Sequence, residues 1–177
     1  LDYFRSLTSR CNHDGMPIMS SMSDANEPVD CLDFPEVRFG DFSIICASRA
    51  DLVRIALADC RAGTVQGRVV FDANGHALSL ARTDGKFAAM IKEADIVHAD
   101  GGFLVTLSKV LGLNRIPERS ATTDMLHDFA RGFSGTGHGF FFFGSEERVN
   151  AGCTKVMAAS YPGLTISGRR NGFFKQE

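Results

Sequence analysis

Hydrophobic and polar positions along this chain alternate in blocks that predict strands and helices in turn. The clearest block is a short apolar run, 95–99, which ends in Asp100-Gly101-Gly102 and is followed by a helical pattern. Further apolar runs of strand length lie at 42–47, 67–71, 140–143 and 164–167. Apolar residues recur at helical spacing over 48–63, 76–94, 123–131 and 146–160, with an interruption near Asp84-Gly85.

Strands that alternate with helices predict an α/β domain. Because the strands are almost continuously apolar, we expect a Rossmann-like parallel sheet with helices on both faces. This domain covers residues 41–177 in our prediction. Residues 1–40 lack apolar periodicity and are rich in Asn, Asp, Ser, Gly and Pro, so we expect a poorly structured N-terminal extension there.

Composition narrows the class of protein without identifying it. Of the 177 residues, 44% are hydrophobic and 23% charged, as in ordinary globular proteins, and the net charge of −2 gives no basic field for nucleic acid. The five cysteines are scattered without a Cys-x-x-Cys pair, which predicts free thiols rather than disulfides or a zinc site. No apolar run approaches the roughly 18 residues of a membrane span, which favours a cytoplasmic protein that can still touch a membrane surface.

Polar side chains follow two successive predicted strands. Asp72-Ala73-Asn74 comes after one strand and Asp100 after the next. Ligands of open α/β sheets bind at the carboxyl ends of the strands, so these side chains are candidates for one crevice. A carboxylate there can act as a general base, and an amide can orient a sugar because it both donates and accepts hydrogen bonds. The alternative interpretation is that Asn74 and Asp100 only cap helices.

Other candidate positions give weaker signals. Gly144-Ser145 precedes a helix and leaves room for a diphosphate at the helix N-terminus, although the first turn carries glutamates. Arg119 is suited to binding phosphate, with Asp124 to orient it; a surface ion pair is the equally favoured alternative.

His98 lies inside a strand and is interpreted as a packed histidine. The histidines show no metal-ligand spacing, and Gly135-Thr136-Gly137-His138-Gly139 precedes a strand, which is the wrong order for a dinucleotide fingerprint.

At these residues the sequence resembles the WecG/TagA/CpsF glycosyltransferases, glycosyltransferase family 26. The family pattern has a T-x-N turn, then A-D-x-x-x-x-D-G with a helix and L-G, an E-R-x-x-G-x-D-L run, a strand ending in glycine, Y-P-G-L-x-I-x-G and G-[YF]-F. The corresponding segments here, in the same order, are Asp72-Ala73-Asn74, Ala94–Gly101, Leu111-Gly112, Glu118–Met125, Phe143-Gly144, Tyr161–Gly168 and Gly172-Phe173-Phe174.

The resemblance implies a function. Members transfer a sugar, commonly of the N-acetylmannosamine type, from a UDP-sugar to a polyprenyl-diphosphate-linked sugar at the inner membrane face, during synthesis of surface polysaccharide. By resemblance, Asp100 is the catalytic base of an inverting reaction and Arg119 neutralises phosphate. No Asp-x-Asp metal motif is visible, so no metal cofactor is expected. Family members are often homo-oligomeric. The substrate-binding positions carried over or inferred are Asp72, Asn74, Gly101, Gly102, Arg119, Thr122, Asp124, Gly144 and Ser145.

Three departures from the family pattern leave a second hypothesis open. Asp72 stands in place of the family threonine, and Thr122 in place of a glycine. Family members also continue beyond the Gly-Phe-Phe motif, so the chain is expected to lack a C-terminal portion. The alternative function is therefore a non-catalytic nucleotide-sugar-binding module of a polysaccharide assembly complex. A generic α/β enzyme using Asp100 in other chemistry has only the strand-tip argument in its favour.

Overall fold

The protein is an α/β domain in a computed structural model that describes residues 29–40, 42–63, 67–111 and 114–174. The strands are β1 (Glu36–Phe39), β2 (Phe42–Ile45), β3 (Val70–Ala73), β4 (Ile96–Ala99), β5 (Gly139–Phe143) and β6 (Thr165–Arg170). The helices are α1 (Arg49–Ala62), α2 (Gly75–Thr83), α3 (Gly85–Lys92), α4 (Gly102–Val110), α5 (Thr122–Phe133) and α6 (Glu147–Ser160), with a short 3-10 helix at Cys31–Asp33. The predicted α/β class is confirmed.

The fold contains two parallel strand pairs. β3 pairs with β4 in parallel, and β5 pairs with β6 in parallel. β1 and β2 form an antiparallel hairpin, and β2 lies beside β4. The described strands thus form three two-stranded sheets, β1–β2, β3–β4 and β5–β6, and the first two lie side by side through β2 and β4.

Helices cover both faces of β2 and β4, as the apolar strands predict, and one face of β3. On one face, Ile44, Ala73 and Ala99 pack with residues of α3 and α4 in one core cluster. On the other face, Ile45 and Ile96 pack with α1 and α5 in a second cluster. Alternate residues of β2 and β4 thus point to different helical layers.

Local sequence explains where the helices begin and end. The Ser48 side chain accepts a hydrogen bond from the Asp51 N–H, and the Asp51 carboxylate accepts one from the Ser48 N–H, which together start α1 with a capping box. Gly63 ends this helix in the left-handed conformation, with φ of 62°. Asp84 both ends α2 and caps α3, which is the interruption that the sequence predicts.

β3 begins and ends later than the sequence predicts. The predicted strand, 67–71, breaks before Asp72, whereas β3 runs from Val70 to Ala73 and places Asp72 inside the strand, opposite His98. The Asp95 carboxylate accepts a hydrogen bond from the Val69 N–H at 2.7 Å. This bond joins residues far apart in the sequence and holds the backbone just before β3, and Val69 and Val70 remain 56% and 48% exposed rather than buried as expected.

The structure also differs from the prediction over residues 29–39, part of the segment expected to lack structure. β1 lies there, and its Val37 is 2% exposed in the core. The segment pairs with β2 across a turn in which Gly40 has φ of 63°, so its order comes from a non-local partner that local composition does not reveal. Residues 1–28 of the predicted extension lie outside the described residues, as do Gly112 and 175–177.

β5 is covered on one face. Phe140 and Phe142 pack against a third core cluster that includes Phe133 of α5 and Met157 of α6. Phe141 and Phe143 are 58% and 64% exposed. The run of four phenylalanines therefore alternates in burial instead of being buried throughout.

The packing of α5 on α1 depends on a glycine. A Cβ at Gly132 of α5 would lie 2.4 Å from the Val53 Cγ1 atom of α1. We expect Gly132→Ala to lower the free energy of unfolding by about 1–3 kcal/mol, because this overpacking outweighs the better helix propensity of alanine. Urea denaturation measures the change.

The matched control is Gly152→Ala in α6, where a Cβ would meet nothing within 4 Å. That substitution should stabilise the protein by roughly 0.5–1 kcal/mol, since only helix propensity changes. A Gly132→Ala protein as stable as wild type would show that α1 and α5 are not in close contact here.

Candidate active site

The ends of β3 and β4 meet at the residues that the sequence marks as candidates. The Asp100 N–H donates to the Ala73 carbonyl at 2.8 Å, which extends the parallel pairing by one residue. A Cβ at Gly101 would lie 3.4 Å from the Asn74 Cβ, which is ordinary van der Waals contact, so the two turns lie side by side. Asn74, Asp100 and Gly101 are thus brought to one place, as predicted.

The capping interpretation holds for Asn74 and fails for Asp100. The Asn74 Oδ1 atom accepts a hydrogen bond from the Ala77 N–H at 3.0 Å and caps α2. Gly101 is the N-cap of α4, Gly102 is its first residue, and no side chain caps this helix. Asp100 therefore precedes a helix N-terminus whose N–H groups have no side-chain partner, and within the described ranges its carboxylate has no ion-pair or hydrogen-bond partner.

Asp72 and Thr122, the two departures from the family pattern, contact each other. The Thr122 hydroxyl donates to the Asp72 carboxylate at 2.8 Å. His98, the register partner of Asp72, is 4% exposed, and its Nδ1 atom has no hydrogen-bond partner. Burial lowers the pKa of His98, and the neighbouring carboxylates of Asp72 and Asp100, together with a hydrogen bond to the Ser120 backbone, oppose this shift. The packed histidine expected from the sequence therefore has an unsatisfied polar atom.

Arg119 and Asp124 form the ion pair considered in the sequence analysis. Their side chains approach to 3.2 Å, and the Arg119 side chain is 54% exposed. The Ser120 N–H donates to the Ala99 carbonyl at 2.8 Å, which places Arg119 next to the end of β4. The Arg119 backbone is thus next to the end of β4, and its side chain is accessible to solvent.

Arg49 joins this region to α1, and sequence reasoning missed it. Its guanidinium lies 3.6 Å from Glu118, 3.4 Å from Asp124 and 3.2 Å from Asp128. Asp124 is therefore shared between Arg49 and Arg119. The long separation of Arg49 from these partners along the chain leaves no local signal that would have identified the network.

Gly144 and Ser145 form a separate tight turn after β5. They have φ values of 121° and 59°, and a Cβ at Gly172 would lie 3.2 Å from the Gly144 Cα. The Ser145 carbonyl accepts a hydrogen bond from the Gly172 N–H at 2.8 Å. The described hydrogen bonds of this turn connect it to the end of β6 rather than to the β4 end.

A cavity of about 780 Å³ separates β3 from β5. Its walls come from β3, α1, α5 and β5, and they are largely apolar. Asp72, His98 and Thr122 also line it. Asp59 and Arg68, which form an ion pair at 2.8 Å, line it as well, so the cavity has polar side chains at more than one place.

Two features are absent from the described residues. No group of three or more His, Cys, Asp or Glu side chains in them is arranged to hold a metal ion. None of the helices in the described part of the chain has the length and apolar character needed to cross a bilayer.

The buried neutral His98 predicts a specific pH dependence of stability. Because its pKa is lowered on folding, the unfolded state binds more protons, so the free energy of unfolding should fall as the pH drops below about 6.5. His98→Leu should show a smaller loss between pH 7.5 and 5.5, measured by urea denaturation at both pH values. Equal losses in the two proteins would mean that His98 does not contribute to this dependence.

Comparison with known proteins agrees with this geometry. No curated protein matches the chain significantly. A sequence profile described as the glycosyl transferase WecG/TagA/CpsF family matches residues 37–177 and includes both strand ends, Arg119 and the β5–β6 pair. The chain therefore belongs to the WecG/TagA/CpsF family of glycosyl transferases.

Proposed function

We propose that the protein is an inverting glycosyltransferase that moves a sugar from a UDP-sugar to a polyprenyl-diphosphate-linked acceptor during synthesis of surface polysaccharide. Family membership supports glycosyl transfer in general. The observation that supports the finer proposal is the position of Asp100 between the end of β4 and the N-terminus of α4, where no described residue pairs with its carboxylate and no described side chain caps the helix.

In this proposal, Asp100 takes the proton from the acceptor hydroxyl. The oxygen then attacks the anomeric carbon on the side opposite the bond to the diphosphate, which breaks as the new bond forms. Inversion follows from this single displacement. An ionised carboxylate suits the role because the dipole of α4 favours negative charge at its N-terminus. Asn74 lies against Gly101 and would line the same site.

Positive groups for the departing UDP lie nearby. Arg119 is accessible and can bind phosphate oxygens in bidentate fashion. Its partner Asp124 is also held by Arg49, so the carboxylate stays neutralised when Arg119 turns toward a phosphate. Gly101 and Gly102 leave the first N–H groups of α4 open, which adds a second means of stabilising negative charge without a metal ion.

Membrane contact and self-association complete the proposal. A polyprenyl chain stays in the bilayer, so the enzyme would work as a peripheral protein at the inner face of the membrane. Exposed aromatic side chains beside the β5–β6 pair, Phe143, Phe173 and Phe174, with Arg170 over the Phe174 ring at 4.0 Å, offer surface for a partner or a headgroup.

The role of Asp100 predicts the behaviour of Asp100→Asn. The amide cannot accept the proton, so kcat should fall roughly 10²- to 10⁴-fold while UDP-sugar affinity changes little. The measurement is UDP release across a panel of UDP-sugars, with and without a short-chain polyprenyl-diphosphate-GlcNAc acceptor. Donor affinity comes from calorimetry on the same proteins.

Asp84→Asn is the matched control, because it makes the same change at a helix cap, where asparagine serves equally well. Its activity should equal that of wild type. Donor binding by wild type without any release would instead establish the non-catalytic nucleotide-sugar-binding module. Release that survives in Asp100→Asn would remove Asp100 from the mechanism.

The phosphate-binding role predicts weaker donor binding in Arg119→Ala. Loss of a charge-assisted hydrogen bond should raise the Kd for UDP and for the UDP-sugar by roughly 10- to 100-fold. Arg61→Ala, at an exposed position in the last turn of α1, should leave both values unchanged. Equal Kd values for Arg119→Ala and wild type would show that the diphosphate binds elsewhere.

A further inference from the structure

Arg49 is the first residue of α1, and its side chain faces three carboxylates. The guanidinium lies 3.2 Å from Asp128, 3.4 Å from Asp124 and 3.6 Å from Glu118. The Arg49 N–H also donates to the Glu118 carboxylate at 2.9 Å. Backbone and side-chain contacts therefore both hold Arg49 against the loop and the helix that follow β4.

Two of these carboxylates also have a second cation. Arg119 approaches Asp124 to 3.2 Å, and Arg131 pairs with Asp128. Among the described arginines, only Arg49 contacts all three acids of this cluster. Arg49 is thus the residue through which the other ion pairs of the cluster are connected.

The charges of the cluster balance only when Arg49 is included. Three arginines and three carboxylates cancel, whereas two arginines and three carboxylates leave one negative charge. Because Asp124 is shared between Arg49 and Arg119, part of this excess charge would lie beside Arg119. A carboxylate that is no longer shared attracts the remaining guanidinium more strongly and repels phosphate oxygens.

The exposure of the side chains indicates which arginine is able to turn toward a ligand. The Arg119 side chain is 54% exposed and that of Arg49 is 32% exposed. An ion pair between exposed groups contributes little, so Arg119 leaves Asp124 at a small cost in free energy. The backbone beside Arg119 is held at the end of β4 by the bond from the Ser120 N–H to the Ala99 carbonyl. Arg119 is therefore the mobile partner, and Arg49 stays with the acids.

We propose that Arg49 is a positioning residue for the diphosphate site. By holding Asp124, it keeps Arg119 available to phosphate oxygens, and it does so without touching the ligand itself. The inference rests on the phosphate-binding role proposed for Arg119. It extends that site from the strand ends to the first turn of α1.

Calorimetry with UDP and with inorganic pyrophosphate tests this role. Arg49→Gln should raise both Kd values roughly 2- to 5-fold, the effect of one exposed ion pair, because Asp124 then pairs with Arg119 alone. Arg49→Lys keeps the charge and should restore most of the affinity. The matched control is Arg54→Gln in the same helix, because Arg54 pairs with Asp51 and should leave both Kd values unchanged.

A double-mutant cycle separates positioning from a direct effect of the Arg49 charge on the ligand. In Asp124→Asn, the carboxylate through which Arg49 acts is absent. Arg49→Gln should therefore have almost no further effect on the Kd for UDP in that background. An effect of the charge on the ligand itself would persist there at full size.

The pairing of Arg119 is also measurable without ligand or turnover. Exchange of its guanidinium protons with solvent, followed by NMR, becomes slower when its pair with a carboxylate tightens. We expect slower exchange at Arg119 in Arg49→Gln and wild-type exchange in Arg54→Gln. If this holds while Arg119→Ala leaves the Kd for UDP unchanged, Arg49 still positions Arg119 and the proposed phosphate-binding role fails.

Three results would overturn the inference. Unchanged proton exchange at Arg119 in Arg49→Gln would show that Arg49 does not affect its pairing. An unchanged Kd for UDP in Arg49→Gln, when Arg119→Ala weakens binding, would show that Arg119 binds phosphate without help from Arg49. Equal losses of affinity with and without the Asp124 carboxylate would mean that the Arg49 charge acts on the ligand directly.

Discussion

The parallel register of β3 and β4 determines the arrangement of the candidate site. Ala73 lies opposite Ala99, and the hydrogen bond from the Asp100 N–H to the Ala73 carbonyl continues the pairing past the strand ends. Asn74 and Asp100 are distant in sequence, and only this register brings their turns into contact. A shift by one residue would also turn Asp72 and His98 toward the opposite helical layer. The positions of Asp100, Asn74 and the start of α4 all depend on the same few backbone hydrogen bonds.

Periodic patterns predicted the helices and most strands, because apolar spacing and capping residues act locally. The split near Asp84-Gly85, the cap at Ser48 and the end at Gly63 all follow from side chains within a few residues. β1 and the late start of β3 were not predictable in this way. β1 is stabilised by pairing with β2, and the backbone before β3 bonds to Asp95 across 26 residues of sequence. The exposed face of β5 was not predicted, because four consecutive phenylalanines show no alternation between apolar and polar residues.

The candidate site likewise has features that the sequence predicted and features that it did not. The expectation that ligands bind at the ends of parallel strands grouped Asn74, Asp100 and Gly101 correctly. The sequence analysis also named the Arg119–Asp124 ion pair as an alternative. The Arg49 network and the unpaired His98 Nδ1 were not, since both depend on tertiary contacts. Asp72 and Thr122 seemed to be separate departures from the family pattern, yet the structure joins them by a hydrogen bond of 2.8 Å. The carboxylate that Asp72 introduces thus accepts a hydrogen bond from the hydroxyl that Thr122 introduces. This pairing is compatible with a change in the bound sugar as well as with a loss of function.

The most direct test of this account is a crystal structure of the protein with UDP and a short-chain acceptor bound together. The account predicts that the acceptor hydroxyl lies about 2.6–3.2 Å from an Asp100 carboxylate oxygen, with the diphosphate toward Arg119 and the N-terminus of α4. A well-defined complex in which the acceptor hydroxyl has no access to Asp100, or in which the diphosphate occupies the end of the cavity at Asp72 and His98, would contradict it.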